Sequence, residues 1–156
     1  MKPRTFANAA DVAEIRRRLK LVQAESRRRW GRMSAHQMIC HLRDAFLIAT
    51  DPEQTRPVLG LHNRTIVKWV ALYVPVRWPS GIRTTPEIDQ VAGGGTRPGE
   101  FAADVAAVDA AIAAITGAPE EFFRGRRHPI FGPLTQSAWL RWAYLHMDHH
   151  LRQFGA

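Results

Sequence analysis

Apolar residues near the start of the chain recur every three or four positions, which is the period of a helix with one buried face. This pattern predicts a first helix from about Ala9 to Arg28. Its inner positions are Val12, Ile15, Leu19 and Val22, and its outer positions include Arg16, Arg17 and Lys20. The sequence WGRM at residues 30–33 then interrupts the pattern, so we expect a break in the chain before the next helix.

A second helix is predicted from a capping signal, because Ser34 stands three positions before Gln37. We expect this helix to follow Ser34 and to end near Thr50, where the sequence DPEQTRP begins. Its inward face consists of Met38, Leu42, Ala45, Phe46 and Ala49.

The rest of the chain predicts one shorter helix, a long loop and two long helices. The segment 58–74 fits a helix from about Asn63, although its β-branched and aromatic residues also suit a strand. Residues 75–98 are rich in proline, glycine and threonine, which predicts a long crossover loop of the kind that often covers a site. Further helices are expected from about Glu100 to Ile115 and from Thr135 to just before Gly155.

Four long amphipathic helices with a long middle connection predict an all-α fold. We expect a four-helix bundle with a long crossover connection that carries a short extra helix. Residues 1–156 are expected to form a single domain, because this length is typical of one hydrophobic core.

The composition is typical of a globular protein, with 46% apolar and 23% charged residues. The most apolar segments are interrupted by Lys68, Pro75, Asp104 and Asp109, so we expect no membrane-spanning helix. The single cysteine, Cys40, excludes an internal disulfide framework and fits a reducing compartment. We therefore expect a cytoplasmic protein.

The chain is strongly basic, with 22 lysine and arginine residues against 14 aspartate and glutamate residues, a net charge of +8. Much of this charge stands in arginine runs at residues 16–18, 27–29 and 124–127. Such runs attract nucleic acid through counterion release. No aromatic interleaving or known nucleic-acid module accompanies them, so solvated helix faces are the preferred interpretation.

The last helix contains the sequence LHMDHHLRQFG, which holds three histidines in five positions. On a helical wheel of about 100° per residue, His146, His150 and Gln153 lie within roughly 40° of the inward direction set by Trp139. His149 lies roughly 80° from that direction. Because residues one turn apart can direct their side chains at one point, His146 and His150 form a candidate metal-binding pair.

Two histidines seldom hold a divalent ion tightly, so this pair needs a third ligand. The candidates are His36, His41, His62 and His128. His41 lies on the flank of the inward face of the second helix and His36 lies almost opposite, so His41 is favoured. Cys40 points away from that face and is interpreted as a small packing residue.

A zinc peptidase of the HExxH type is excluded, because Met147 stands where that motif has its catalytic glutamate. Asp44 and Asp148 have two interpretations. They either orient a ligand imidazole through a hydrogen bond or are surface carboxylates that offset neighbouring arginines.

Three stretches carry a resemblance to a known family: WGRMSAHQMICHL near residue 30, HPIFGPLTQSAWLRW near residue 128 and HMDHHLRQFG at the end. They resemble the DinB-like superfamily of metalloenzymes, and most closely a bacterial branch described only as a domain of unknown function. The resemblance covers about Trp30 to Gly155. Its motif is a histidine on the second helix followed by His-x-x-x-His-x-x-Gln on the last, which implies His41, His146 and His150 as ligands, followed by Gln153.

The resemblance implies a four-helix bundle, often dimeric, with a three-histidine site for zinc, nickel or a similar divalent ion. Characterised members include thiol-dependent S-transferases and a maleylpyruvate isomerase that use low-molecular-weight thiols. We therefore expect a divalent metal and a homodimer, and a low-molecular-weight thiol is an open alternative as a second cofactor. The chemistry itself does not transfer with the fold.

The favoured function is a metal-dependent enzyme, an S-transferase or hydrolase, acting on a small molecule. A three-histidine site leaves a coordination position at which a water or thiol becomes more acidic. The candidate pocket residues, for which core packing is the commoner role, are Trp30, Trp139, Trp142 and Phe131. The candidates for a further catalytic role are His128, Gln153 and Asp44, and His128 could instead fix its own loop.

Two other functions remain open at this point. A non-catalytic, stress-related metal-binding protein would have a closed coordination sphere, with a fourth ligand such as Asp44 or His149. A nucleic-acid binder would rest on the net charge alone, and we do not expect nucleic acid as a partner.

Overall fold

The computed structural model describes residues 3–50, 61–82 and 84–156, without the side chains of residues 48–50 and 61–65. Within these residues the helices are α1 (Ala9–Leu19), α2 (Ala35–Thr50), α3 (Leu61–Tyr73), α4 (Phe101–Gly117), α5 (Glu120–Phe123) and α6 (Gln136–Gln153). A 3-10 turn at Pro86–Ile88 lies in the long connection. Two short strands, β1 (Arg127–His128) and β2 (Gly132–Pro133), form an antiparallel hairpin. The described part is thus mostly helical, as the sequence predicted.

Helix α1 ends at Leu19, so the prediction that it continues to Arg28 was wrong. The backbone N–H of Gln23 donates to the hydroxyl of Ser26 over 2.9 Å, a local bond that competes with helix formation. Val22 is nevertheless buried, with 3% of its surface exposed. A turn therefore continues the apolar spacing after the helix has ended, and the sequence pattern alone does not distinguish the two.

Helix α2 begins with the predicted capping box. The N–H of Gln37 donates to the Ser34 hydroxyl over 3.1 Å, and the N–H of Ser34 donates to the side-chain oxygen of Gln37 over 2.9 Å. These reciprocal bonds satisfy backbone donors that have no partner within the helix. The predicted inner residues Met38, Leu42, Ala45 and Phe46 are buried, and the side chain of Ala49 lies outside the described part.

The later helices follow the predicted pattern closely. The segment 61–73 is helical, which confirms the preference for helix over strand. Helix α4 occupies the expected alanine-rich run, and α6 is capped by Thr135, whose hydroxyl accepts the N–H of Ala138 over 3.2 Å. The short helix α5 and the hairpin were not predicted, because two-residue strands produce no alternating pattern.

Helix α6 lies at the centre of the packing. It contacts α1, α2 and α3, while α4 packs on α2. Side chains are therefore buried on most of its circumference and not on one stripe alone, as for Trp139, Met147 and Leu151. This arrangement places the last predicted helix between several neighbours, with its histidines in the interior.

No helix in the described residues combines the length and the apolar character that a membrane crossing requires.

Candidate metal centre

Three histidines from α2 and α6 meet in the interior. The Nε2 atoms of His41 and His146 are 3.3 Å apart, and one ring nitrogen each of His41, His146 and His150 lies within 4.8 Å of the other two. His146 and His150 stand one turn apart on α6, so both rings point to the same side. The structure thus brings together the three side chains that the sequence proposed as ligands.

The crossover loop orients His41. The Nδ1–H of His41 donates to the backbone carbonyl of Ile88, in the 3-10 turn, over 3.1 Å. A neutral imidazole that donates from Nδ1 has its free lone pair on Nε2. His41 therefore presents a ligand nitrogen towards α6.

Gln153 orients His150 in the same manner. The Nδ1–H of His150 donates to Oε1 of Gln153 over 2.9 Å, and Nε2 of Gln153 donates to the carbonyl of Trp30 over 2.9 Å. Gly31, at φ +79°, lies against this amide, because a Cβ there would be 2.5 Å from Nε2 of Gln153. A glycine is required at this position, because it adopts a positive φ and leaves room for the amide. The segment after α1 therefore holds Gln153 in place and, through Gln153, His150.

His146 completes the group with one nitrogen that has no partner. Its ring stacks on Trp142 at 5.2 Å and 14°, and its Nδ1 is buried without a hydrogen bond in the described part of the chain. Two imidazole nitrogens bound at about 2.0–2.1 Å to one tetrahedral zinc ion stand about 3.3 Å apart. The Nε2 distance between His146 and His41 matches this value, so the residues fit a divalent ion.

Burial keeps the three imidazoles neutral. It lowers the pKa of His41 and of His150, and it lowers the pKa of His146 well below its usual value, with a further decrease from the neighbouring histidines. An imidazole must be neutral to bind a metal ion. The three side chains are therefore in the ligand form at neutral pH.

A cavity of about 890 Å³ adjoins the three histidines. Its walls are largely apolar and come from α3, the crossover loop and the hairpin; they include Val70, Trp78, Ile88 and Ile130. Of the predicted pocket residues, Trp30, Phe131 and Trp142 line it, whereas Trp139 is fully buried in the core. The metal-ligand group is thus open to a space that suits a small molecule.

His149 is buried beside the group but does not belong to it. Its ring lies 5.9 Å from that of Trp30 and 6.0 Å from that of Trp78, in the wall of the cavity. Burial, and next the charge of Arg152, lower its pKa to about 4. The helical wheel separated His149 from the inward pair correctly, but it did not predict the burial.

His128 also lines the cavity and is not one of the three grouped ligands. Its Nδ1 accepts the backbone N–H of Ile130 over 3.1 Å and of Phe131 over 3.3 Å. Burial lowers its pKa to about 3. His128 therefore fixes the hairpin, which was one of its two predicted roles.

Neither candidate carboxylate bonds to an imidazole in the described structure. Asp44 accepts hydrogen bonds from Gln90 and from the backbone and hydroxyl of Thr96, and so anchors the crossover loop. Asp148 accepts hydrogen bonds from Arg18 and Arg152 at 2.8 Å each. It therefore compensates the charge of neighbouring arginines, which was one of its two interpretations.

A second set of possible ligands lies on the other side of α2. The Nε2–H of His36 donates to Asp104 over 2.7 Å, and the Cys40 thiol donates to the same carboxylate oxygen over 3.7 Å. Burial, and then the charge of Asp104, raise the pKa of Cys40 to about 12, so the thiol stays protonated. These residues link α2 to α4, and their polar atoms satisfy one another. The side chain of His62, the remaining candidate, lies outside the described part.

Two residues of the site were missed by sequence reasoning, Ile88 and Trp78. Ile88 acts through its backbone carbonyl, which no side-chain pattern indicates. Trp78 belongs to the crossover loop and donates its indole N–H to the carbonyl of Ala71 over 2.8 Å. The length of that loop and its single tryptophan were the only signals that it covers a site.

A family model described as "Protein of unknown function (DUF1569)" matches residues 4–156. Comparison with curated proteins and with solved structures finds no match.

Proposed function

The chain belongs to the DUF1569 family of proteins of unknown function, and we propose that it is a divalent-metal-dependent enzyme with a DinB-like four-helix-bundle fold. The observation that carries this proposal is the meeting of three neutral, oriented imidazoles at the wall of an apolar cavity. Three protein ligands beside an open space are typical of catalytic metal sites, whereas structural sites are closed by a fourth ligand.

In this proposal His41, His146 and His150 hold the ion, and zinc or nickel suits three imidazoles. The ion would act as a Lewis acid that makes a water or thiol more acidic at neutral pH. Ile88 and Gln153 hold His41 and His150 in the tautomer that directs Nε2 to the shared point. The indole of Trp142 supports the ring of His146 from the side.

We propose a small molecule as substrate, because the cavity volume falls within the range of about 300–1,000 Å³ usual for such sites. The reaction class is an S-transfer that uses a low-molecular-weight thiol, or a hydrolysis. The largely apolar wall favours a substrate with an apolar body. Exclusion of water by this wall would strengthen polar interactions at the ligand group.

Metal analysis of purified variants tests the site. His41→Ala, His146→Ala and His150→Ala should each lose most of the bound zinc or nickel. His149→Ala is the matched control, because His149 neighbours His150 but lies outside the ligand group. Unchanged metal content in all three ligand variants would show that the site is wrongly assigned.

The reaction class is tested separately, by a thermal-shift screen of the metal-loaded protein with low-molecular-weight thiols and small electrophiles. A thiol that stabilises the wild-type protein but not His146→Ala supports the S-transferase. Stabilisation by esters or amides, with no response to thiols, supports the hydrolase.

The non-catalytic alternative needs a fourth protein ligand such as Asp44 or His149. Asp44 is engaged with the crossover loop and His149 lies outside the ligand group, which favours the enzyme. We also propose a cytoplasmic homodimer. Exposed apolar side chains on α3 support an interface there: Ile66, Trp69, Val70 and Tyr73. Light scattering after size-exclusion chromatography measures the oligomeric state directly.

A further inference from the structure

His128 has a fixed tautomer that follows from its hydrogen bonds. Two backbone N–H groups, of Ile130 and Phe131, donate to Nδ1 at 3.1 Å and 3.3 Å. A nitrogen that accepts two donors carries no proton, so the neutral ring must carry its proton on Nε2. Protonation of Nδ1 would direct its N–H group at the N–H groups of Ile130 and Phe131, which is unfavourable. The geometry of the hydrogen bonds therefore disfavours the charged ring.

The other ring nitrogen of His128, Nε2, is unpartnered in the described part of the chain. The residues that the structure describes offer no acceptor within hydrogen-bond distance of Nε2, and the ring lines the cavity. The ring itself is held on three sides by the aromatic side chains of Phe131, Trp139 and Trp142, at 4.7 Å, 5.4 Å and 4.8 Å. Such packing leaves the imidazole few other orientations, so its free N–H is preorganised.

One indole places this donor next to the metal-ligand group. Trp142 contacts the ring of His128 at 4.8 Å and stacks on the ring of His146 at 5.2 Å. A small molecule in the cavity can therefore touch the ligand group and His128 at the same time.

We propose that His128 Nε2–H is a binding group for an sp² oxygen, a carbonyl oxygen of the substrate, whose reacting part lies at His41, His146 and His150. This inference rests on the proposed function for the identity of the reacting end. The role follows from the chemistry of the group: a fixed, neutral N–H donates to a carbonyl oxygen and does not transfer its proton. His128 is thus assigned to substrate orientation and to the polarisation of a carbonyl group, and not to acid catalysis.

The tautomer is tested by NMR of the zinc-loaded protein with ¹⁵N-labelled histidine between pH 5.5 and 7.5, a range set around the usual histidine pKa of about 6.5. We expect the proton of His128 on Nε2 throughout this range. A proton on Nδ1, or titration of the ring within the range, would overturn the proposal.

The ligand class is tested with two probes of nearly equal shape, acetophenone and ethylbenzene, which differ by a carbonyl group in place of a methylene. Acetophenone should shift the Nε2–H resonance of His128, and ethylbenzene should not. The affinity ratio of acetophenone to ethylbenzene should fall about fivefold in His128→Phe, the loss of one neutral hydrogen bond. His128→Gln, which retains a side-chain N–H donor, should recover most of that ratio.

An unchanged ratio in His128→Phe, or no shift of the resonance with acetophenone, would refute the donor role. Should His128→Phe fail to fold, the wild-type NMR titration and His128→Gln still decide the matter. Neither readout measures metal content, so failure of this inference is distinct from failure of the metal site, which metal analysis alone decides.

Discussion

Asp44 is the residue through which the crossover loop is held over the site. Asp44 is 5% exposed, and its carboxylate accepts three hydrogen bonds, from Gln90 Nε2 at 3.0 Å, from the Thr96 backbone at 2.8 Å and from the Thr96 hydroxyl at 2.7 Å. Gly95 lies so close that a Cβ there would be 2.4 Å from the carboxylate. Asp44→Ala should therefore release the segment that contains Ile88, the partner of His41.

The expected cost can be worked from these contacts. A hydrogen bond to a charged group contributes about 1.5–3 kcal/mol, so three independent bonds would amount to more than 4 kcal/mol. Thr96 is only half-buried, and Gln90 keeps a second bond to the Thr96 carbonyl at 2.9 Å. Water can thus replace part of the loss, and we expect Asp44→Ala to lower the free energy of unfolding by about 3 kcal/mol.

Asp44→Asn is the matched control. Its amide oxygen can still accept from Gln90 and from the Thr96 backbone, and its NH₂ group can donate to the Thr96 hydroxyl. We expect this variant to lose about 1 kcal/mol, because the bonds become neutral. The site should respond as well: zinc affinity should fall about tenfold in Asp44→Ala, because His41 loses its fixed orientation.

Urea unfolding of the metal-free proteins measures the stability difference, and competition with a chelator measures the zinc affinity. A loss of less than 1 kcal/mol in Asp44→Ala, on the order of a single neutral hydrogen bond, would refute the argument. Loss of stability with unchanged zinc affinity would show that the loop does not orient His41.

Three further predictions concern other parts of the chain. Burial lowers the pKa of five histidines, His41, His128, His146, His149 and His150, so below the usual value of about 6.5 the unfolded chain binds protons that the native protein does not. The contribution of these histidines to the stability of the metal-free protein should be constant above that pH and fall below it by up to about 1.4 kcal/mol per pH unit for each histidine. Urea unfolding of His128→Phe should show one such contribution fewer. Cys40, buried and with its pKa raised to about 12, should react with a thiol reagent at neutral pH only as fast as the protein opens, and rapid labelling of the native protein would contradict its burial. Ser34→Ala should lower the free energy of unfolding by about 1 kcal/mol through loss of the cap on α2, whereas no change in urea unfolding would mean that the cap does not stabilise the helix.

The sequence predicted those features that depend on local spacing. The pairing of His146 with His150 follows from one helical turn, and the start of α2 follows from Ser34 and Gln37. His41 was favoured because the inward face of α2 is marked by its apolar residues. In each case a short stretch of chain contains the whole signal.

Features that depend on distant neighbours could not be predicted in this way. His149 is buried beside Trp30 and Trp78, which lie outside the helices, and no wheel of a single helix contains that information. The acceptor for His41 is a backbone carbonyl at Ile88, which any residue would provide. The end of α1 was misjudged because a turn buries Val22 at the position where a further helical turn would have placed an apolar residue.

The ligand histidines and the cavity wall belong to different kinds of structure. The three histidines stand on α2 and α6, while much of the wall comes from the crossover loop and the hairpin and includes exposed residues such as Ile82 and Val91. Loops tolerate substitution far better than packed helices do. Selection can therefore alter which molecule is accepted without disturbing the groups that act on it. Divergence in ligand preference among related chains is expected to concentrate in residues 74–100, apart from Gln90, Gly95 and Thr96, which anchor the loop to Asp44.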